Sequence, residues 1–110
     1  MSDRSKRVET DVNVYRLRVA ALPGGVVFGW DYPGSTLLRV RILRAPANED
    51  YGAPPVDPPD ESDWRVAYDA DTGSFRDREL PVGSRWRYAV FARNGEGPWT
   101  LWRDEVVALP

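Results

Sequence analysis

The chain has 110 residues, 42% of them hydrophobic and 12% aromatic, which suffices for one hydrophobic core and excludes a multidomain enzyme. Fifteen basic residues against seventeen acidic ones give a formal net charge of −2, which argues against bulk binding to nucleic acid or anionic lipid. The chain contains neither Cys nor His, and this excludes disulfides, thiolate and imidazole catalysis and the usual zinc sites.

The start of the chain is polar, of mixed charge and without periodicity. We predict that residues 1–11 form a disordered leader and that folding begins near Val12. The leader lacks the apolar segment of a signal peptide, and no apolar run approaches the ~20 residues of a membrane helix. We therefore expect no membrane insertion and a cytoplasmic location, or an extracellular one if the chain is a module of a larger secreted protein. The single Lys beside abundant Arg, Ala, Pro and Gly favours GC-rich coding and a bacterial source.

Seven short segments alternate apolar and polar residues with period two, which is typical of half-buried β-strands. They lie around Val12–Val19, Val26–Trp30, Leu38–Ile42, Trp64–Tyr68, Phe75, Trp86–Ala92 and Leu101–Val107. Turn-forming residues rich in Gly, Pro and Asn separate them. No segment has a sustained helical pattern, so we predict an all-β chain whose seven antiparallel strands pack as two sheets around one core.

Residues 45–63, which we call the acidic loop, differ from the rest of the chain. They hold five of the ten prolines and six carboxylates, with no Lys or Arg. Two adjacent pairs of prolines remove strand hydrogen-bond donors and favour extended polyproline geometry. We predict a long loop between the third and fourth strands, which is either a tolerated surface insertion or a binding element. Its composition predicts that a short Gly/Ser turn can replace residues 46–62 with little loss of stability.

Two segments resemble the fibronectin type III family. Val26-Val27-Phe28-Gly29-Trp30-Asp31-Tyr32-Pro33 matches the family's Trp-x-x-Pro at the end of strand B, where the indole fills the centre of the sandwich. Leu80 to Gly97 is similar to the family's E–F corner, strand F and F–G turn, in register. The resemblance covers residues 12–109 and implies one domain over 12–110 with sheets A-B-E and C′-C-F-G. The implied strands are A 12–20, B 25–31, C 37–44, C′ 64–69, E 74–79, F 85–93 and G 99–108.

The sequence departs from that family at two places. Trp86 stands where the family usually has Tyr, so a bond from the indole N–H has to replace the hydroxyl-to-backbone bond of the tyrosine corner. The connection between strands C and C′ is much longer than the family's usual one, so the acidic loop is interpreted as an insertion.

One sheet face is predicted to be rich in arginine. If Trp86, Tyr88 and Val90 point into the core, alternate residues of strand F and of its neighbour C point away from it, onto what we call the outer face. The residues predicted there are Arg39, Arg41 and Leu43 on strand C and Arg85, Arg87, Phe91 and Arg93 on strand F. Since fourteen of the fifteen basic residues are Arg, planar stacking is favoured over simple solvation.

Strand G begins with Pro98-Trp99-Thr100-Leu101-Trp102-Arg103, which resembles the Trp-Ser-x-Trp-Ser signature of cytokine-receptor modules. In that signature, indoles of strand G interleave with guanidinium groups of strand F. The resemblance places Trp99 and Trp102 in the two Trp positions, while Arg103 replaces the second Ser. We interpret Trp99, Trp102 and the strand F arginines either as a stabilising cation–π stack or as a recognition patch. A third hypothesis is that the acidic loop shields this face until a partner displaces it.

The remaining carboxylates offer little chemistry. Asp69 and Asp71 flank a turn, Asp104 and Glu105 are adjacent on strand G, and none has the spacing of a calcium loop or of a glycosidase pair in a pocket. We therefore expect no catalytic residue, cofactor or metal.

The preferred function is a non-catalytic module that binds a protein partner through the C-F-G face, the C–C′ loop or the F–G turn. The alternatives are a polysaccharide-surface accessory module, with Trp99, Trp102, Tyr51 or Tyr32 as sugar platforms, and a structural spacer or virion-type assembly component using edge strands A or G.

Overall fold

The computed structural model describes residues 16–31, 38–47, 52–71 and 73–110, and these residues form seven strands and no helix. The strands are β1 (Arg18–Leu22), β2 (Gly25–Gly29), β3 (Leu38–Pro46), β4 (Arg65–Ala70), β5 (Ser74–Asp77), β6 (Arg85–Asn94) and β7 (Thr100–Ala108). One sheet has the order β1-β2-β5 and the other β4-β3-β6-β7, with every neighbouring pair antiparallel. The predicted seven-stranded sandwich and both predicted sheets are confirmed, with β1 to β7 as strands A, B, C, C′, E, F and G.

Four strands end two residues away from their predicted ends, and among them β2 ends at Gly29, before the predicted residue 31. β1 continues to Leu22, while residues 12–15 and the predicted leader lie outside the described residues. β5 ends at Asp77 because Glu79 has a φ of 61°, in the left-handed region that no strand residue adopts. β3 continues to Pro46, two residues into the acidic loop. Proline is tolerated there because the pairing of β3 with β4 ends at Arg44, so at Pro46 only β6 lies beside β3. The missing N–H of Pro46 therefore costs no hydrogen bond to a strand on the other side.

The core lies between the two sheets and is built from the inward residues of every strand. Phe28 on β2 packs edge-on against Tyr88 on β6, with ring centroids 5.0 Å apart. Trp30 is 3% exposed and lies edge-on to Tyr68, with centroids 5.9 Å apart. The central position that the resemblance implies for Trp30 is therefore confirmed.

A polar network joins the two sheets inside the sandwich. Arg44 is an inward residue of β3, and its Nη1 donates to both carboxylate oxygens of Asp77 on β5 at 2.9 Å. The Tyr88 hydroxyl donates to Asp77 Oδ2 at 2.7 Å. The Arg44 guanidinium also stacks over the Trp86 ring, 5.0 Å from its centroid. Alternation places these groups inside, and each charge is paired there because an isolated buried charge is costly.

The corner before β6 uses an indole in place of the tyrosine hydroxyl. Trp86 Nε1 donates to Ser84 Oγ at 2.8 Å, and Ser84 Oγ donates to the Pro81 carbonyl at 2.5 Å. Ser84 therefore relays the bond from the ring to the backbone. The predicted replacement by an indole N–H is confirmed, with one hydroxyl between the indole and the carbonyl.

Candidate functional site

The outer face of the four-stranded sheet carries a second apolar cluster, separate from the core. Its buried members are Leu43, Ala45, Trp64, Ala89 and Phe91. Four of them are outward residues of the central strands β3 and β6, and Trp64 directly precedes β4. An antiparallel sheet with one face on a core usually presents polar residues on its other face. This face is apolar at its centre and therefore requires a cover.

Two parts of the chain supply that cover. Val56, in the middle of the acidic loop, packs half-buried against the cluster, and Trp99, just before β7, packs against it as well. The interpretation of this segment as a tolerated insertion stays a prediction, although its described part is packed on the sheet through Val56. The physical reason for this packing is that Leu43 and Phe91 would otherwise expose their apolar surface to water.

Arg41 on β3 holds the cover in place. Its Nε donates to Asp69 Oδ2 at 3.0 Å and its Nη2 lies 2.9 Å from the same oxygen. Its Nη1 donates to the Val56 carbonyl at 2.9 Å and also to Asp57 Oδ1. The guanidinium Cζ lies over Trp99, 4.7 Å from the ring centroid. One side chain thus joins β3, β4, the acidic loop and the start of β7.

Arginines and indoles alternate across the outer face. Arg93 stacks on Trp99 with its Cζ 4.7 Å from the centroid, and Arg87 stacks on Trp64 at 4.9 Å. Arg87 is further fixed by Asp104 on β7, with Nε–Oδ1 at 2.9 Å and Nη2–Oδ2 at 2.8 Å. Such stacks cover indole surface with guanidinium planes that keep contact with water and with carboxylates.

The structure places two more of the predicted residues, Arg39 and Arg85, as follows. Arg39 lies on the outer face and its Nε donates to Asp69 Oδ1 at 2.5 Å. Arg85 is exposed at the first position of β6, opposite Ala108. Arg41 and Arg93 meet at Trp99, as described above. That any of these residues binds a partner stays a prediction.

The placement of Trp102 on the outer face is wrong. Trp102 is 7% exposed and belongs to the core between the sheets. Trp99 and Trp102 are an odd number of positions apart, which places them on opposite faces of a strand. A bulge in β7 skips Trp102, since Val90 pairs with Arg103 and Phe91 pairs with Leu101. Trp64 takes the second indole position of the ladder instead.

Sequence reasoning missed Trp64, Val56 and the two carboxylates Asp69 and Asp104. The signal in the sequence was the apolar pair Ile42-Leu43 and the apolar run from Ala89 to Ala92. A strand with one face in water alternates apolar and polar residues and has no such adjacent apolar residues. Those runs indicate that β3 and β6 are buried on both faces. They do not tell which segment covers the second face, because that depends on the path of the loop.

Among the described residues, the Tyr88 hydroxyl is a titratable group with a clearly shifted pKa. Burial, with a hydrogen bond to Asp77, raises the pKa of Tyr88 far above its usual value, so this hydroxyl stays protonated. The described residues contain no group of three carboxylates that could hold a metal ion. None of their segments is a helix long and apolar enough to cross a bilayer.

An open cavity of about 370 Å³ lies between the acidic loop and the start of β4. It is lined by Pro58, Pro59, Asp60, Trp64, Arg65 and Val66.

Comparison with known proteins addresses the fold. No family model and no curated protein matches the chain. A solved structure of a computationally redesigned β-sandwich protein matches with a TM-score of 0.59 at 15% identity, over 86% of both chains. The fn3 domain of the human collagen alpha-1(XX) chain matches with a TM-score of 0.52 at 18% identity, over 86% of this chain and 83% of that one. The chain has a fibronectin type III fold.

A third structure, the twitchin kinase region of C. elegans, has a TM-score of 0.50 at 17% identity. The match covers 83% of this chain and 15% of that much longer one, whose domain order begins with Fn31. These three matches agree on the fold of the chain.

Proposed function

We propose that this chain is a non-catalytic interaction module that binds another protein through the outer face of its four-stranded sheet, together with the acidic loop and the F–G turn. One observation carries the proposal. The outer face has an apolar centre covered by a single loop and a single indole rather than by a second sheet. Apolar side chains that stay exposed around such a covered centre, with a polar rim, are typical of a protein-binding surface.

Exposed apolar side chains continue this surface beyond its cover. Leu101 pairs with Phe91 and Val106 pairs with Arg87, so both lie on the outer face of β7. Val66 lies on the outer face of β4, beside Leu43. All three are exposed. They extend the apolar area from the covered centre to both edges of the sheet.

Charged and aromatic residues surround that area. Arg39 and Arg85 are exposed, and Trp99 is half-buried. Arginine and tryptophan are the residue types that contribute most to binding energy in protein interfaces. This composition supports a protein partner.

The two alternatives have less support. A polysaccharide module needs exposed planar aromatics, but Trp102 is in the core and Trp99 is stacked with guanidinium groups; Tyr32 and Tyr51 lie outside the described residues. Assembly by strand addition needs an open edge. The β7 edge carries a bulge and the charged run Arg103-Asp104-Glu105, and both features disfavour pairing with another strand.

The test uses two leucines of equal exposure on opposite sheets. Leu101 is 40% exposed on the outer face, and Leu22 is 37% exposed on β1 of the other sheet. The wild type, Leu101→Asp and Leu22→Asp are immobilised at equal density, and proteins captured from an extract of the source organism are quantified. We expect a protein that the wild type and Leu22→Asp retain and that Leu101→Asp loses by about tenfold.

Other results contradict the proposal. A protein lost only with Leu22→Asp would move the binding surface to the three-stranded sheet. Equal retention by all three forms would exclude the outer face. Capture of no protein by any of them would argue against an interaction module. Thermal unfolding of both variants controls for misfolding, since surface substitutions usually change stability by about 0.5 kcal/mol or less.

A further inference from the structure

We propose that the outer face binds an extended acidic peptide segment in which an aliphatic residue precedes a carboxylate. Val56-Asp57 occupies this binding site, which we call the groove, in cis. The inference rests on the proposed function and names the chemistry of the partner at that surface. The acidic loop is then a bound ligand that belongs to the same chain, and a partner segment of like sequence exchanges with it.

The geometry at Arg41 defines what the groove recognises. Nε and Nη2 of Arg41 are held by Asp69, which fixes the guanidinium on the sheet. Nη1 remains for the loop and donates to two acceptors from consecutive residues, the Val56 carbonyl and the Asp57 carboxylate. An extended peptide with a carboxylate in the second position presents the same two acceptors. A planar forked donor with fixed orientation suits this recognition.

The apolar cluster defines the residue before the carboxylate. The Val56 side chain packs on the cluster that contains Leu43, Phe91 and Trp64. An aliphatic side chain of similar size fills the same place, whereas a polar one would leave the cluster in contact with water. The groove therefore selects an aliphatic residue followed by Asp or Glu.

The exposures of Arg41 and Asp57 indicate that Asp57 is the partner that another carboxylate can replace. The Arg41 side chain is 16% exposed, whereas the Asp57 side chain is 84% exposed. Because the Asp57 carboxylate faces water, a carboxylate of a partner segment can replace it beside Arg41 once the loop leaves. The loop base is held by local bonds, from Ser62 N to the Pro59 carbonyl at 2.9 Å and from Trp64 N to Ser62 Oγ at 3.0 Å. Val56 and Asp57 can leave the sheet without breaking these bonds.

The prolines around the pair favour a bound, extended shape. Pro54 and Pro55 precede Val56, and Pro58 and Pro59 follow Asp57. Such prolines restrict the free segment to extended polyproline geometry, so little entropy is lost when it binds. A proline-flanked partner segment would gain in the same way.

The test adds the loop segment back as a separate peptide. Val56→Ser and Asp57→Asn are combined in the full chain to release the loop. The probe is a synthetic peptide of residues 52–61, and the control peptide carries the same two substitutions. Binding is measured by titration calorimetry, with the fold of each protein checked by circular dichroism. We expect the released variant to bind the probe at least about tenfold more tightly than the wild type, whose own loop competes in cis. The control peptide and an added Arg41→Lys substitution should each abolish binding.

Several results would overturn the inference. One is that the probe does not bind a released variant that is folded. Another is that the probe and the control peptide bind with equal affinity. A third is that about 1 mM probe does not bind the wild type, since this is the scale of the effective concentration of a tethered segment. A concentration-dependent dimer of the wild type would assign the groove to the loop of a second copy instead. If the probe fails while Leu101→Asp still loses a captured protein, the proposed function stands and only the partner chemistry is wrong.

Discussion

Both carboxylate oxygens of Asp77 lie 2.9 Å from Nη1 of Arg44, so an ion pair joins β5 of one sheet to β3 of the other inside the sandwich. The pair is further satisfied by the Tyr88 hydroxyl, 2.7 Å from Asp77 Oδ2. A buried pair adds little net stability, since desolvation offsets its attraction, but loss of one member leaves the other uncompensated.

We predict that Asp77→Ala destabilises the domain by about 3 kcal/mol, because Arg44 then lies partly buried without its carboxylate. Urea unfolding measures the loss. Replacing both partners, as Arg44→Met with Asp77→Leu, should cost less than Asp77→Ala alone, since no buried charge remains. A double variant less stable than the single one would contradict this account of the network.

Stability should fall in alkaline solution through Tyr88. Its pKa is raised in the folded state, by burial first and by Asp77 second. The contribution of the protonated hydroxyl is therefore complete below pH 10, the usual tyrosine pKa, and is lost progressively as the pH rises beyond it. The expected slope is at most about 1.4 kcal/mol per pH unit. Unfolding free energies of the wild type and Tyr88→Phe between pH 8 and 11 should diverge in this sense; parallel curves would exclude Tyr88 as the source.

Trp30→Ala should cost about 3–5 kcal/mol, because it leaves a cavity at the centre of the sandwich. Denaturant midpoints against the wild type provide the measurement. Val82→Ala is the control, since Val82 is largely exposed and should change stability by less than about 0.5 kcal/mol. A Trp30→Ala midpoint equal to that of the wild type would contradict the central position of this indole.

Removal of the acidic loop should lower the free energy of unfolding, contrary to the expectation from composition. Replacing residues 48–61 by a short Gly/Ser turn uncovers Leu43 and Phe91, so we predict a loss above about 2 kcal/mol. Binding of a hydrophobic dye in native buffer should rise as well, since the apolar cluster becomes exposed. A replacement that keeps wild-type stability and dye binding would show that Val56 adds nothing to the sheet.

Two glycines of β2 should respond in opposite ways to alanine. A Cβ at Gly25 would lie 2.6 Å from the Asp77 backbone oxygen, which belongs to the neighbouring strand. A Cβ at Gly29 would meet only the Arg18 guanidinium at 3.5 Å or beyond. Gly25→Ala should therefore destabilise by about 1–3 kcal/mol, whereas Gly29→Ala should be neutral or stabilising by up to about 1 kcal/mol. Thermal unfolding of the matched pair decides; equal effects would refute the packing argument.

Much of the fold could be read from the residues. Alternation located all seven strands. The resemblance carried by the residues around Trp30 and Trp86 implied the composition of both sheets, the sandwich type and the indole at the corner. Strand ends were less predictable. Glu79 has a left-handed backbone conformation, which ends β5. β3 can include Pro46 because β4 no longer pairs with β3 at that position. A hydrophobic pattern shows neither condition.

The candidate site was only half predictable for a different reason. Parity placed Arg39, Arg41, Arg87 and Arg93 on one face, because side chains alternate in any strand. Alternation also places Trp102 on the face opposite Trp99, so this error came from the resemblance to the cytokine-receptor signature. Only the bulge beside Trp102 is a property of the assembled sheet.

The sequence by itself determined the fold class, the strands and the faces of their residues, since these follow from local periodicity and turn chemistry. Only the tertiary structure decided that Trp64 stacks with Arg87, that Arg41 binds Val56 and Asp57, and that the acidic loop covers the outer face. These contacts join residues distant in the chain. They depend on the path of a loop with no periodicity of its own, so no local pattern encodes them.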